Sequence, residues 1–238
     1  MAIALPLFFT SCSEEEPKAP DDHEYVDLGL PSGTLWATCN VGANAPEEYG
    51  YSFAWGETAP KEFYNWKTYK WCNWVCDTIS EYYYVVDVTW YKYFFKNWEN
   101  NVSVEGDCKI ELEPEDDAAS VNWGAHWCMP TLAQMAELIE KCDWQWTQVN
   151  GVNGDLVTGP NGKSIFLPAA GGRESDLYND GICGYYWSRS LCSRQILGIE
   201  AADQHDAYIM FFKSKKKEVW YDSRYCGNSV RPVRTSHK

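Results

Sequence analysis

The sequence predicts an α+β fold made mainly of antiparallel short strands, with one or two helices and long loops. Three observations point there. Alternating apolar residues recur in short runs between Gly, Pro and Asn turn signals. One segment, "MPTLAQMAELIEKC", keeps helical spacing over several turns. The chain has 238 residues, 45% hydrophobic and 23% charged, enough for a substantial core.

Residues 24–57 read as strands divided by turns. Val26, Leu28 and Leu30 alternate, as do Leu35, Ala37 and Cys39, with "PSG" and "GANAP" as punctuation. Residues 61–98 differ. They hold five of the 13 tryptophans and seven of the 16 tyrosines, with no stable period. Rings this dense must be buried or must hold something flat, such as a sugar. The favoured reading is an insertion, about 61–107, whose rings pack down on the sheet. "EPEDDAASV" (113–121) reads as a helix start with carboxylates suited to the dipole, and no EF-hand spacing supports a calcium site.

In "MPTLAQMAELIEKC", Thr131 and Gln134 form a capping box, and Leu132, Met135, Ala136, Ile139 and Cys142 make one buried face. Trp144 and Trp146 alternate with polar residues, so a strand follows. "NGVNG" and "GPNG" are hairpin turns around "DLVT" and "KSIFLPAAG". The last strands are "GYYWSRSL", "AYIMFF", "EVWYD" and "SVRPVR", with a patternless polar loop at 192–206. Trp36, Trp55, Trp123, Trp127 and Trp187 are expected in the core. Arg231 and Arg234 are expected to pair with carboxylates or carbonyls at the sheet edge.

The N-terminus, "MAIALPLFFTSC", has an apolar run too short to span a bilayer. It fits a signal peptide over residues 1–11 that ends at a lipobox, with Cys12 lipidated. Residues 12–23 read as an acidic tether, too polar to fold, and 24–238 as one domain. The net charge of −14 argues against nucleic acid and anionic membrane surfaces as partners. Of the ten cysteines, nine remain if Cys12 carries lipid, so at least one has no intrachain mate. No zinc spacing joins them to the scattered His23, His126, His205 and His237.

Several motifs in order, "YVDLGLPSGTLWATCNVGA", "FAWGE", "PEDDAASVNWG", "MPTLAQMAELI", "NGKSIFLPAAG", "GYYWSRSL" and "SVRPVR", make residues 24–234 resemble the Fibrobacter-type major paralogous domain. The resemblance implies a C-type-lectin-like fold. Cys128 stands where that family usually has arginine. An acidic run after the lipid cysteine is similar to the export signal of Bacteroidota surface lipoproteins, which implies an outer-membrane lipoprotein facing the cell exterior.

The family includes targets of diversity-generating retroelements, in which an adenine-marked template rewrites asparagine codons near the 3′ end of a gene. This implies a variable face over about 183–228. In "WYDSRYCG", Tyr221, Asp222, Ser223, Tyr225 and Cys226 are residues that such codons become, while Trp220, Arg224 and Gly227 read as fixed. Ile209 and Phe211 fit the same set, Lys213, Lys215 and Lys216 fit with an altered third base, and Cys183 and Cys192 fit as further products. Arg194 joins the expected face.

The leading functional expectation is therefore a surface-displayed binding module for a protein, glycan or phage. It is expected to need no cofactor, metal or catalytic residue. The alternatives are a fixed-specificity adhesin, a structural subunit of a surface assembly, and an enzyme similar to formylglycine-generating proteins, which would use Cys226 as a thiolate. A calcium lectin is disfavoured because "EPN", "QPD" and "WND" are absent.

Overall fold

The computed structural model describes residues 23–80, 83–99, 102–192 and 204–235. Cys12 and its leader, nearly all of the tether, and Arg194 lie outside these residues. The chain is 41% strand and 12% helix, and every ladder among the described residues is antiparallel. It is an α+β protein whose described residues form short antiparallel strands with two α-helices.

Strands β1 (Tyr25–Asp27) and β2 (Thr34–Ala37) pair across a turn closed by Gly33 N–H donating to Leu30 O at 2.9 Å. The last strand, β15 (Val233–Thr235), takes the other edge of β2. All four residues of β2 are buried. Simple alternation would leave Trp36 outside, but both faces of β2 are covered. Ala37 packs with Trp55, Trp127 and Trp187, and Trp36 with Leu28, Met135 and Met210.

The aromatic-rich segment folds as a 3-10 turn (Trp66–Thr68) and two hairpins. These are β3 (Cys72–Ser80) with β4 (Tyr83–Trp90), and β5 (Lys96–Glu99) with β6 (Val102–Glu105). Most of its described rings pack, while Phe63 and Tyr91 stay exposed. Tyr64, Tyr69 and Trp90 are buried with Ala54 and Cys72, and Tyr93 joins the Trp55 cluster. The side chains at 76–87 and 98–102 lie outside the described residues.

The acidic helix start is shifted. Glu115 and Asp116 sit in a 3-10 turn (Pro114–Asp116), and the buried Asp117 caps α1 (Ala118–Trp123). Its Oδ1 accepts from Ala119 N and Ser120 N at 2.9 and 3.0 Å. Helix α2 (Leu132–Lys141) has the expected capping box, with Gln134 N donating to Thr131 Oγ1 at 3.2 Å and Thr131 N to Gln134 Oε1 at 2.9 Å. Thr131→Ala is expected to cost about 1 kcal/mol. The melting temperature should fall by about 2–4 °C, and an unchanged midpoint in a thermal melt would count against the cap.

A meander follows: β7 (Asp143–Val149), β8 (Val152–Thr158) and β9 (Ser164–Pro168). Asn150 and Gly151 turn between β7 and β8 with φ of 48° and 85°, the left-handed pair of a type I′ hairpin. On β8, burial pushes the Asp155 carboxyl up to about 6, with Lys217 opposing weakly. A raised carboxyl penalises the fold once both states ionise, so stability is lost as pH rises from about 4 to 6. Asp155→Asn is expected to raise the melting temperature by a few degrees at pH 8 and leave it unchanged at pH 4. Equal effects at both pH values would refute this ionic cost.

After a short ribbon of β10 (Gly172–Arg173) and β11 (Leu177–Tyr178), the chain forms its last full sheet. Strands β12 (Cys183–Leu191), β13 (Asp206–Lys213) and β14 (Lys216–Ser223) lie in that order. One face turns Tyr186, Met210 and Phe212 toward Met135 and Leu138 of α2. The other turns Trp187 and Ile209 into the Trp55 cluster.

"SVRPVR" is buried but is not one strand. Proline 232 has no N–H to continue a ladder. Residues 228–230 instead bridge Phe53, Tyr185 and Val41 separately, and only 233–235 form a strand. Arg231 is fully buried and meets carbonyls, as expected. It donates to Ala37 O (3.0 Å), Thr38 O (2.7 Å) and Phe166 O (3.0 Å), and to Asn40 Oδ1 (2.8 Å). Arg234 lies over the rings of Tyr25 and Trp127 at 5.0 and 5.6 Å. All five core tryptophans named from the sequence are buried.

Candidate ligand-binding face

Strand β14 is the edge of its sheet and carries the most exposed aromatic pair near the C-terminus. Trp220 is 50% and Tyr221 42% exposed, and their rings stack at 5.0 Å with 13° between planes. The strand ends in a tight turn, in which Cys226 N donates to Ser223 O at 2.8 Å. Within that turn successive side chains part ways. Arg224 goes fully inside, Tyr225 is half-buried and Cys226 returns to the core.

Arg224 makes the turn rigid. Its guanidinium donates to Tyr69 Oη (2.8 Å), Tyr93 O (2.9 Å), Gln204 O (2.9 Å) and Lys92 O (3.1 Å). It lies 4.9 Å from the Trp55 ring, 5.3 Å from Tyr69 and 4.7 Å from Trp90. The aromatic insertion is thus tied to the turn through one side chain. Gly227 sets the next contact, since a Cβ there would stand 2.9 Å from the Tyr64 ring.

Around the turn, Asp222 accepts from Asn228 Nδ2 and Ser223 N, both at 2.9 Å. Burial raises its carboxyl above the usual range, and these hydrogen bonds pull against that rise. Ser223 Oγ donates to Asp206 at 3.1 Å. On the side of the sheet that Trp220 and Asp222 share, Tyr178, Tyr185 and Phe211 form a strip of half-buried rings with centroids 5.8 and 5.2 Å apart. Tyr225 meets Trp66 at 4.8 Å, and Trp66 stacks on Trp74 at 5.2 Å.

The residues expected at a binding face divide into three sets. Tyr221, Asp222, Ser223, Tyr225 and Phe211 are exposed or half-buried around the aromatic end of β14. Lys213, Lys215 and Lys216 are exposed at the hairpin tip, about 23 Å at strand rise from Ser223, although Lys216 Nζ reaches back to 5.8 Å from the rings of Phe211 and Trp220. Ile209, Cys192 and Cys226 must be removed from the face. They are 1%, 5% and 2% exposed, as Cys183 is at 6%. Ile209 pairs with Trp187 and faces the core, and the 223–226 turn rotates Cys226 inward. Trp220, set apart as fixed, is exposed and joins the face, as do Tyr178 and Tyr185. The alternation of "GYYWSRSL" could have placed Tyr185 beside Phe211.

No disulfide links Cys39, Cys72, Cys108, Cys128, Cys142, Cys183 or Cys226. Among the described residues, Glu113, Glu115 and Asp116 bring carboxylate oxygens within 4.8 Å of one another, a spacing that could hold a metal. Lys92 Nζ already sits on them at 2.6, 3.5 and 2.5 Å and fills a cation's place. Hydrogen bonds from Lys109 and Lys92 hold the Glu113 carboxyl down at about 2.

Comparison with family models, with curated proteins and with solved structures finds no match.

Proposed function

We propose that this protein is a surface-displayed binding module of the C-type-lectin-like kind, anchored to the outer membrane through lipid on Cys12 and facing the exterior. The observation that carries the reading is the pairing of exposed Trp220 and Tyr221 with a turn locked from beneath by Arg224. Aromatic side chains give large contact area at low entropic cost, and a rigid frame lets them change without unfolding the core. The joining of the first and last strands through β2 supports the lectin-like fold. Among the described residues, no helix is long and apolar enough to cross a membrane.

In this reading the ligand is a protein or glycan at the cell surface, and residues of the 183–228 segment that reach the surface vary by templated codon change. Cys226 supports binding over thiolate catalysis. Burial, then the neighbouring Asp222 and Glu174 carboxylates, push its thiol well above the usual range, which opposes the anion such catalysis needs.

The test is to sequence the 3′ end of the gene and its flanks across a growing population. Substitutions confined to positions where a nearby near-repeat carries adenine, with a reverse transcriptase alongside, are expected. An invariant segment with no such repeat would leave a fixed-specificity adhesin or structural subunit in its place.

A further inference from the structure

We propose that a cleft beneath the β13–β14 hairpin tip binds an acidic saccharide, a sugar ring carrying sulfate or carboxylate. The cleft, about 190 Å³, is lined by Trp144, Trp146, Asp155 and tip residues 213–217. The tip places four lysines in five positions of a chain whose net charge is −14. Lys216 borders the cleft but pairs with Glu218, so Lys213, Lys215 and Lys217 supply the charge.

Trp144 is held in place and partly covered, which leaves Trp146 as the indole offered to a flat ring. Trp144 Nε1 donates to Leu138 O at 3.2 Å, its ring packs 5.7 Å from Phe212, and Lys217 Nζ stands 5.4 Å over it. Asp155, 6% exposed, lies at the cleft beside these cations. A carboxylate there repels a bare anion but accepts hydrogen bonds from hydroxyl groups. Cations, indole faces and an acceptor together suit a ligand that offers an anionic group, a flat face and hydroxyls at once. The volume is below the roughly 300–1,000 Å³ of drug-sized sites, so it takes a single ring. The acidic remainder of the chain opposes a long polyanion such as nucleic acid. The cleft is at the other end of β14 from the 223–226 turn; Lys213 and Lys215 belong to the segment proposed to vary, so the site is assigned to the lysines this chain carries and does not rest on that function.

The experiment is calorimetric titration of the full chain with galactose 6-sulfate, glucuronate, galactose, inorganic sulfate and a single-stranded oligonucleotide. The two acidic sugars are expected to bind, more weakly as salt rises, while galactose and sulfate ion do not compete. Lys215→Glu with Lys217→Glu is expected to weaken binding about tenfold or more. Trp146→Ala should also weaken it, and the distant exposed Lys67→Glu should not. The proposal is overturned if neither acidic sugar binds, if sulfate ion binds as well as they do, or if the oligonucleotide binds more tightly. It is also overturned if sugar binding survives the lysine pair but vanishes in Trp220→Ala. That last result would place the sugar on the aromatic face and leave the proposed function standing.

Discussion

Replacing Arg224 with alanine is expected to lower stability by about 4 kcal/mol and the melting temperature by about 10 °C. The side chain is fully buried and ends four hydrogen bonds on Tyr69, Tyr93, Gln204 and Lys92. Truncation would orphan those acceptors and empty a space walled by Trp55, Tyr69 and Trp90. Lysine is no substitute, because an ammonium cannot reach four separated acceptors from one plane. Since these contacts tie the insertion to the rest, limited proteolysis should cut within 61–107 far faster in Arg224→Ala than in the parent. An unchanged melt and digestion pattern would mean that the insertion is held by its aromatic packing alone.

Trp187→Ala is expected to cost about 4 kcal/mol, enough to unfold much of the population if stability is ordinary. The indole is fully buried in the larger core cluster, and its Nε1 donates to Phe53 O at 2.7 Å. The variant therefore leaves a cavity and removes one of the two hydrogen bonds on that carbonyl, the other coming from Asn228 N at 3.1 Å. Tyr221→Ala on the edge strand β14 should shift stability by no more than about 0.5 kcal/mol, because that ring is 42% exposed and has little packing to lose. The two melts, run side by side, test the division between frame and display surface. A large loss in Tyr221→Ala would make that tyrosine part of the frame.

The frame was the legible part. A capping box is a local pattern, so Thr131 and Gln134 were readable three residues apart. Asn150–Gly151 was equally local. The core tryptophans were readable because so much apolar area has nowhere else to go. The face was harder. Codon composition marks which residues a template can produce, but not which way a side chain points. Ile209 and Phe211 looked alike on that basis, yet only Ile209 lies opposite Trp187 in the core. Cys226 depended on the direction of a four-residue turn. The role of Arg224 was out of reach because its partners are 20 to 155 residues away in sequence.

Strand β2 has consequences for how the chain is made. Its partner β15 lies about two hundred positions later, so this segment waits on the ribosome's progress through all the chain between them. Pairings this remote close slowly. The turn at 223–226 is synthesised just before Arg231 and Val233, which tie the end of this segment to β2 and its neighbours. A nonsense or frameshift change in the turn would remove the closing segment with it. Only a chain read intact through the proposed binding residues can then complete its fold, which makes folding itself a proofreading step on that stretch of the gene.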